Sequence, residues 1–473
     1  MSVDAPLLRD TALRTRVRAA LKASRRSGGE VLAALTLPAD PGLDPSAVVW
    51  ASRRGAEPLF CLEEPDRGGF ALAGLGEVAH LTAGGEDRFG RVAAAWRRLA
   101  GSAVGGTAAG PPGSGLVAVG GFAFSPQPAP AGSPWATFSA ASLSVPELAL
   151  ARRDGEVALT LTACVRPDDV EEDVVARLEH RLAELHPAAR LPLLDPAPAG
   201  RARVASALPP EHYEQAVAGA VERIRAGDLE KVVLAREVDV HAPRAHDPAA
   251  ALGVLRDAFP ACYVFAVARG PATFLGASPE LLARREGHRA STVALAGSTR
   301  RSADPAVDDH LGERLLRSDK DREEHAIVAR RIAAALKPHT LWIAQAPEPR
   351  VVKVANIQHL ATPIRAQLAK AVGAVDLAGL LHPTPAVGGE PWADAAPLIP
   401  ALEGLDRGWY AGAVGWTDAA EDGEFSVALR CALLEGALAR CYAGVGVVRD
   451  SDPAAELAET EVKLDAVLPV LAT

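Results

Sequence analysis

The spacing of apolar residues changes near the middle of the chain. Apolar positions recur at helical intervals over residues 213–224, whereas residues 232–234 form an unbroken apolar run that favours a buried strand. The pattern therefore predicts a helix followed by a strand. It places Lys231 at the start of that strand, among apolar neighbours.

Beyond this junction, short apolar runs alternate with connections such as 269–270 and 286–287, which suit antiparallel pairing and are too short for crossover helices. The predicted strands are residues 263–267, 273–275, 281–284, 291–295, 341–343, 353–357, 409–416, 424–433 and 438–448. The predicted helices are residues 248–258, 305–316 and 319–336, followed by a last helix from Pro453 with Asp452 as its N-cap.

The first 200 residues show a similar pattern with fewer clear elements. The pattern predicts short β-like runs at 48–50 and 59–61, a helix at 86–99, strands at 116–119 and 121–124, a hairpin at 148–165 and a helix at 170–185. Segment 101–115 is predicted to be a loop, and the Pro-rich connector 191–200 is the best boundary between residues 1–200 and 201–473. Mixed strands and helices predict an α+β fold, with helices packed outside large antiparallel sheets.

Composition narrows the class of protein. The chain has 473 residues, 49% of them hydrophobic, and a net charge of −9, which argues against nucleic acid or an anionic membrane surface as a partner. Five cysteines lie scattered without paired spacing, as expected in a reducing compartment. The charged N-terminus and the lack of a long apolar run predict a soluble, cytoplasmic protein.

Lys231 is the first candidate for chemistry. A lysine in water has a pKa near ~10.4, so a lysine that acts as a base near neutral pH must be buried. Taken alone, Lys231 could equally close a strand edge or pair with Glu230 at the surface. Glu280, flanked by Pro279 and Leu281, could be a proton donor if apolar company raises its pKa, or simply a carboxylate at the end of a strand.

A second candidate cluster lies on the last predicted helix. Glu456, Glu459 and Lys463 are spaced i, i+3 and i+7 and share one face, which could be an ordinary solvated face. If the fold brings Glu324 against these glutamates, their repulsion requires a cation, and an all-carboxylate site suits Mg²⁺. Arg430 could then bind a second substrate carboxylate through its paired donors.

Several motifs together resemble the chorismate-utilising enzymes and, within them, are most similar to isochorismate synthases. The resemblance covers about residues 205–470, and the first 200 residues match only loosely, as the variable half of the same fold. The motifs are EKVVLAR with Lys231, GASPELL with Glu280, ALAGSTRR with Gly297, Glu324-His325, IQHLATP with His359, LHPTPAVGG, WYAGAVGW with Tyr410, FSVALR with Arg430, and AGVGVVRDSDPAAELAETEVK from Ala443.

The resemblance implies a role for each matched residue. Lys231 would be the base that activates water for attack at C2 of chorismate, and Glu280 the acid that protonates the departing C4 hydroxyl. Glu324 and Glu459 would bind Mg²⁺ directly, and Glu456 through water. The implied substrate-binding residues are Gly297, His359, Tyr410, Arg430, Gly444 and Lys463.

The resemblance also leaves alternatives. Salicylate synthases share the lysine base and the glutamate acid and then eliminate pyruvate from isochorismate, so salicylate synthase is the second candidate function. Anthranilate and aminodeoxychorismate synthases add ammonia; anthranilate synthases typically have glutamine at the position of Lys231, and some aminodeoxychorismate synthases have a nucleophilic lysine at that of Ala296. A non-catalytic chorismate-binding protein is a third possibility, opposed by the intact acid and base. We expect the protein to be a monomer that works without a glutamine amidotransferase subunit. Its product, isochorismate, would enter menaquinone or siderophore synthesis.

Overall fold

The computed structural model describes residues 6–195 and 200–472; part of the predicted connector 191–200 and the first five residues lie outside these ranges. Within them the chain forms helices that mostly cover sheets. The helices are α1 (Pro6–Ser27), α2 (Pro45–Ser52), α3 (Arg88–Gly101), α4 (Glu171–Ala183), α5 (Pro210–Ala226), α6 (Pro248–Ala258), α7 (Pro305–Arg317), α8 (Asp319–Leu336), α9 (Ala374–Leu381), α10 (Trp392–Glu403), α11 (Pro453–Leu464) and α12 (Leu468–Leu471).

The strands pair antiparallel throughout and form two sheets, one of twelve strands and one of ten. They are β1 (Val31–Pro38), β2 (Leu59–Glu64), β3 (Phe70–Leu75), β4 (Ala79–Ala83), β5 (Val117–Phe122), β6 (Ala141–Val145), β7 (Leu148–Arg153), β8 (Glu156–Val165), β9 (Arg203–Ser206), β10 (Lys231–His241), β11 (Tyr263–Arg269), β12 (Ala272–Ser278), β13 (Leu281–Glu286), β14 (Arg289–Arg300), β15 (Thr340–Gln345), β16 (Arg350–Lys353), β17 (Ile357–Leu368), β18 (Gly389–Glu390), β19 (Ala413–Asp418), β20 (Gly423–Val427), β21 (Cys431–Glu435) and β22 (Leu438–Val447).

Both sheets contain strands from the two halves of the sequence. The twelve-stranded sheet has the order β1-β8-β7-β3-β2-β11-β12-β21-β22-β10-β18, with β9 beside β10. The ten-stranded sheet has the order β15-β17-β14-β13-β20-β19-β5-β6-β4, with β16 beside β17. The halves therefore meet at the β2–β11 ladder in one sheet and at the β5–β19 ladder in the other.

Two hydrophobic layers hold the molecule together. One lies between the sheets, where Phe60 and Leu62 of the twelve-stranded sheet and Phe122 and Phe425 of the ten-stranded sheet belong to a single buried cluster. The other lies on the opposite face of the twelve-stranded sheet, against helices that include α1, α4 and α6. Strands buried on both faces, such as β2, need an almost unbroken apolar sequence.

The fold class predicted from the sequence is confirmed: antiparallel sheets pack face to face, with helices on the outside. Helices α6 and α8 match the predicted residues, and β10 begins at Lys231 as predicted. The strand predicted at 48–50 is wrong, because these residues lie in α2. There the Asp44 side chain caps the helix at the amide of Ala47, and Pro45 is in its first turn.

Two predicted strands are shorter than expected, and both differences concern candidate site residues. The predicted strand 409–416 starts only at Ala413, after a turn in which Ala411 has φ = 59° and which holds Tyr410. The predicted strand 424–433 is two strands, β20 and β21, separated by Arg430 at φ = 50°. A non-glycine residue in this left-handed region is strained, and such strain concentrates at functional sites.

Two further observations concern the whole described chain. All five cysteines lie in the described residues and are free thiols. No helix within residues 6–195 and 200–472 combines the length and the apolar character that a membrane crossing requires.

Candidate active site

The candidate site lies where the chain passes from one sheet to the other. Glu280 joins β12 of the twelve-stranded sheet to β13 of the ten-stranded sheet, and Arg430 joins β20 back to β21. The Glu280 carbonyl accepts a hydrogen bond from the amide of Val427 (3.0 Å), which ties the two crossings together. Both side chains are therefore held on a backbone anchored in two sheets.

One cavity collects most of the predicted site residues. Lys231 and Glu456 do not line this cavity. Lys231 contacts Glu324, which does line it, whereas Glu456 contacts Lys320 of α8, which does not. The predicted residues that line it are Glu280, Gly297, Glu324, His359, Tyr410, Arg430, Gly444, Glu459 and Lys463.

Lys231 is completely buried and faces a carboxylate from α8. Its Nζ lies 2.9 Å from Oε1 of Glu324, yet the approach is not aligned for a hydrogen bond, so Nζ has no well-directed acceptor among the described residues. The alternative in which Lys231 pairs with Glu230 at the surface is excluded, because Glu230 binds Arg330 instead (2.7 Å). Nζ of Lys231 therefore keeps donors that a group bound beside Glu324 can use.

Glu280 is also buried, with 2% of its surface exposed. Burial raises the pKa of Glu280 to about 8, although the charges of Lys231, Arg430 and Lys463 oppose this rise. The carboxyl group is therefore protonated at neutral pH and can donate a proton. Lys231 is near enough to affect the pKa of Glu280, although only Glu280 lines the cavity.

Helix α11 presents the predicted acidic stripe to the cavity. Lys463 donates a hydrogen bond to Gly444 O (2.9 Å) and contacts Glu459 Oε1 (2.8 Å), which also accepts a hydrogen bond from Ser298 Oγ (2.6 Å). Burial opposes ionisation of Glu459, but Lys463 and Ser298 lower its pKa overall, so it is a carboxylate. One turn earlier, Glu456 Oε1 lies 2.6 Å from Nζ of Lys320.

The three predicted metal ligands sit around one ammonium group. Burial lowers the pKa of Lys320, but the charges of the three glutamates outweigh that effect and raise it. The donors are all carboxylate oxygens, as Mg²⁺ prefers. As they stand, however, each carboxylate contacts a lysine, and no three acidic, histidine or cysteine side chains of the described residues are grouped to hold a metal ion. The three pairs are Lys231–Glu324, Lys320–Glu456 and Lys463–Glu459.

Arg430 is oriented by a neutral histidine. Its Nη2 donates to Nε2 of His359 (3.1 Å), whose Nδ1 lies 3.3 Å from the carbonyl oxygen of Gly297. Burial and the nearby cations Arg430 and Lys463 lower the pKa of His359 to about 3, so the ring is neutral. These two bonds assign the ring proton to Nδ1 and leave the remaining donors of Arg430 for a ligand.

Tyr410 completes this side of the cavity. It is buried and its ring stacks on Tyr442, with 5.2 Å between the ring centroids. Its hydroxyl lies so close to Gly444 that an added Cβ there would be only 2.8 Å from it. Tyr410, Gly444 and Arg430 therefore form a polar corner without bulky side chains between them.

Sequence reasoning missed three polar residues of the site, namely Lys320, Asp321 and Ser298. Asp321 packs beside Gly297: a Cβ added to Gly297 would lie only 3.1 Å from the Cβ of Asp321. A signal was present: Asp321 precedes Glu324 by three residues on α8, so both share one face, and Ser298 belongs to the motif ALAGSTRR. Lys320 also shares this face, four residues before Glu324, but its partner Glu456 is 136 residues away and could not be predicted from spacing.

Comparison with known proteins shows the family of the chain. A family model described as chorismate binding enzyme matches residues 18–472. The salicylate biosynthesis isochorismate synthase of Pseudomonas aeruginosa is 39% identical over 448 residues, covering 93% of this chain and 90% of that protein. The isochorismate synthase MenF of Bacillus subtilis is 36% identical, covering 76% and 75%.

Solved structures give the same picture at the level of the fold. The menaquinone-specific isochorismate synthase MenF of Escherichia coli aligns with a TM-score of 0.78 and 28% identity, covering 96% of this chain and 100% of that one. Anthranilate synthase component I of Streptococcus pneumoniae aligns with a TM-score of 0.68 and 20% identity, covering 85% and 92%, which is a likeness of fold alone.

Proposed function

The chain belongs to the family of chorismate-binding enzymes, and we propose that it is an isochorismate synthase. The observation that carries this proposal is a buried carboxylic acid, Glu280, that lines the cavity, together with a buried lysine, Lys231, that contacts the cavity residue Glu324. Moving a hydroxyl group from C4 to C2 of the ring needs one group that takes a proton and another that gives one. Relatives named isochorismate synthase support the same assignment.

In the proposed reaction, Nζ of Lys231 first gives up its ammonium proton and then takes a proton from a water molecule while the water oxygen forms a bond to C2. The ring double bonds shift, the C4–O bond breaks, and Glu280 gives its proton to the departing oxygen, which leaves as water. Glu280 suits this role because burial raises its pKa to about 8. In the reverse direction the two residues exchange roles.

Fixed groups of the chain would hold the two carboxylates of the substrate. Arg430, oriented by His359, together with Tyr410 and the backbone at Gly444, would bind the enolpyruvyl carboxylate. Gly297 lines the cavity at φ = 74°, a conformation that favours glycine, and a side chain there would press on Asp321. Lys463, held between Glu459 and Gly444, adds positive charge next to the acidic cluster.

We propose Mg²⁺ as the cofactor, held by Glu324 and Glu459 directly and by Glu456 through water. The fit rests on the carboxylate oxygens of the three glutamates, whose charges surround Lys320 and two of which line the cavity. Bound Mg²⁺ would neutralise the ring carboxylate, which the bare glutamates would otherwise repel. Because each glutamate contacts a lysine, the metal and the ammonium groups compete for the same oxygens.

Salicylate synthase is the second candidate, favoured by one observation: a relative with 39% identity is named for salicylate biosynthesis. The two functions differ in whether the enolpyruvyl group leaves as pyruvate. Ammonia-dependent chemistry has less support, because Lys231 stands where anthranilate synthases typically have glutamine and Ala296 lines the cavity without a nucleophile.

Product analysis tests the proposal. The purified protein, supplied with chorismate and Mg²⁺, should form isochorismate without salicylate or pyruvate, and ammonium salts should change nothing. Stoichiometric pyruvate with salicylate would replace the proposal by the second candidate. Binding of chorismate without turnover would reject both isochorismate synthase and salicylate synthase and would favour a non-catalytic binding protein.

A further inference from the structure

The strand that carries Lys231 has a gap in its ladder of backbone hydrogen bonds. On one edge β10 pairs with β22 over ten residues, from Val232 to His241. On its other edge it pairs with β18 at residues 231–232 and with β9 at residues 238–241. Among the described residues, no strand covers this edge between these two short ladders. The amide of Val233 still donates to the carbonyl oxygen of Gly388 (2.7 Å), so the gap lies at the carbonyl of Val233, two residues after Lys231, and at the amide of Ala235.

A buried ion pair fills the gap. Glu403 ends α10 and Arg407 follows it by four residues; each is 4% exposed. Nη2 of Arg407 donates to the carbonyl oxygen of Val233 (2.9 Å), and Oε1 of Glu403 accepts from the amide of Ala235 (2.7 Å). Arg407 and Glu403 also bind each other, Nε to Oε2 at 3.0 Å.

We propose that Glu403 and Arg407 are positioning residues of the active site, which replace a missing strand beside β10 and thereby fix the position of Lys231. A neighbouring antiparallel strand would supply one donor to the carbonyl of Val233 and one acceptor to the amide of Ala235, and the ion pair supplies both. The inference rests on the proposed function, in which Lys231 is the base.

Arg407 also contacts two further segments that line the cavity. Nη1 of Arg407 donates to the carbonyl oxygen of Val387 (2.8 Å), in the segment that leads into β18. The amide of Tyr410 donates to the carbonyl oxygen of Arg407 (2.9 Å), and the guanidinium lies 5.9 Å from the Tyr410 ring. Val233, Val387 and Tyr410 all line the cavity, so one arginine links three of its parts.

The chemistry of the pair explains why these residue types are needed. Three different acceptors lie around one guanidinium, and only arginine offers donors in several fixed directions at once. Lysine at 407 could keep the charge and one or two of the contacts, but it could not hold Glu403, Val233 and Val387 together. The Arg407→Lys variant therefore separates geometry from charge.

The experiment compares Arg407→Lys with a buried arginine elsewhere. Arg181 is 2% exposed and is held by Glu57 at 2.6 Å and Glu147 at 2.9 Å, away from the cavity, so Arg181→Lys is the matched control. For R407K we expect kcat to fall about 100-fold, as for a reactive group displaced by about 1 Å, with KM changed less than about threefold. R181K should keep kcat.

Hydrogen–deuterium exchange gives a readout that does not depend on turnover. The peptide covering residues 231–237 should exchange faster in R407K, which weakens the tether at Val233, and faster still in the charge-balanced variant E403L/R407M, which removes the tethers at both Val233 and Ala235. Wild-type kcat in a folded R407K, or lost activity with unchanged exchange, would overturn the proposal. A wild-type protein inactive on chorismate would instead reject the proposed function, while the exchange data would still test the tether.

Discussion

Nζ of Lys231 and Oε1 of Glu324 lie 2.9 Å apart, so the proposed base and a proposed metal ligand are direct neighbours although they come from β10 and α8. The contact connects acid–base chemistry with the acidic cluster. Changes at either residue should therefore affect the reaction without affecting the rest of the fold.

Replacing the base is the first prediction. Lys231→Met keeps much of the apolar stem but cannot accept a proton, so kcat should fall roughly 10²–10⁴-fold. Lys353→Met is the control, since Lys353 lies 2.8 Å from Asp308 and outside the cavity, and it should keep near wild-type kcat. Steady-state kinetics of both folded variants measure this difference in kcat. Activity of K231M close to wild type would remove Lys231 from its role.

The pH dependence of Glu280 is the second prediction. Its pKa is raised to about 8 in the fold by burial, so it can donate a proton below that pH and kcat should decline as pH rises through it. Glu280→Gln should lose most activity at every pH. A profile that stays flat from pH 7 to pH 9 would contradict this role.

The raised pKa of Glu280 also predicts how the stability of the fold depends on pH. A carboxyl group whose pKa is raised in the fold stabilises it fully below its unfolded pKa, and this contribution is lost as pH rises through the folded value of about 8. Glu280→Gln removes the dependence, because glutamine does not ionise. The variant should therefore unfold at a higher temperature than wild type above pH 8 and at a similar temperature near pH 4, measured by thermal unfolding.

Metal removal is the third prediction. EDTA should abolish activity and added Mg²⁺ should restore it, because the proposed ligands are carboxylates. Glu456→Gln, which changes a water-mediated contact, should weaken Mg²⁺ binding about 10–100-fold, and Glu459→Gln should weaken it further. Calorimetric titration of Mg²⁺ measures both. Glu461→Gln, on the same helix but bound to Arg236, should bind like wild type. A metal-independent rate would reject the cluster's role.

A small change at Gly446 is the fourth prediction. A Cβ at this position would fall on Oε1 of Glu324 and 2.8 Å from Cε of Lys231. Both atoms end flexible side chains, so Gly446→Ala should fold, but it should displace the two groups and lower kcat about 100-fold. Gly101→Ala meets no atom within 4 Å and is the control. Normal kcat in G446A would show that Lys231 and Glu324 need not be neighbours during turnover.

The order of the elements could be read from the sequence where periodicity was long and consistent. The helical spacing over 213–224 and the apolar run after Lys231 correctly predicted α5 and the start of β10. The prediction failed at 48–50, where three residues of high β propensity are outweighed by the cap and the proline of α2. Local propensity is a weak signal when capping groups and packing oppose it.

The candidate site was predicted mostly through its motifs, and its internal pairing was not predictable. Spacing on α11 indicated that Glu456, Glu459 and Lys463 share a face, but it could not identify their partners on α8 and β14. Nor could periodicity show that Arg430 breaks a strand, because the break reflects a crossing between sheets. Contacts between elements distant in sequence depend on the tertiary fold.

The shared sheets have a consequence for any attempt to divide this enzyme. A fragment starting after the Pro-rich connector would lose β2 and β5, and so expose the backbone edges of β11 and β19 along ladders of five and six residue pairs. Bare edges of this kind recruit other chains and aggregate. Chimaeras with related enzymes should therefore exchange surface helices or loops, because a splice at the midpoint cuts through both sheets.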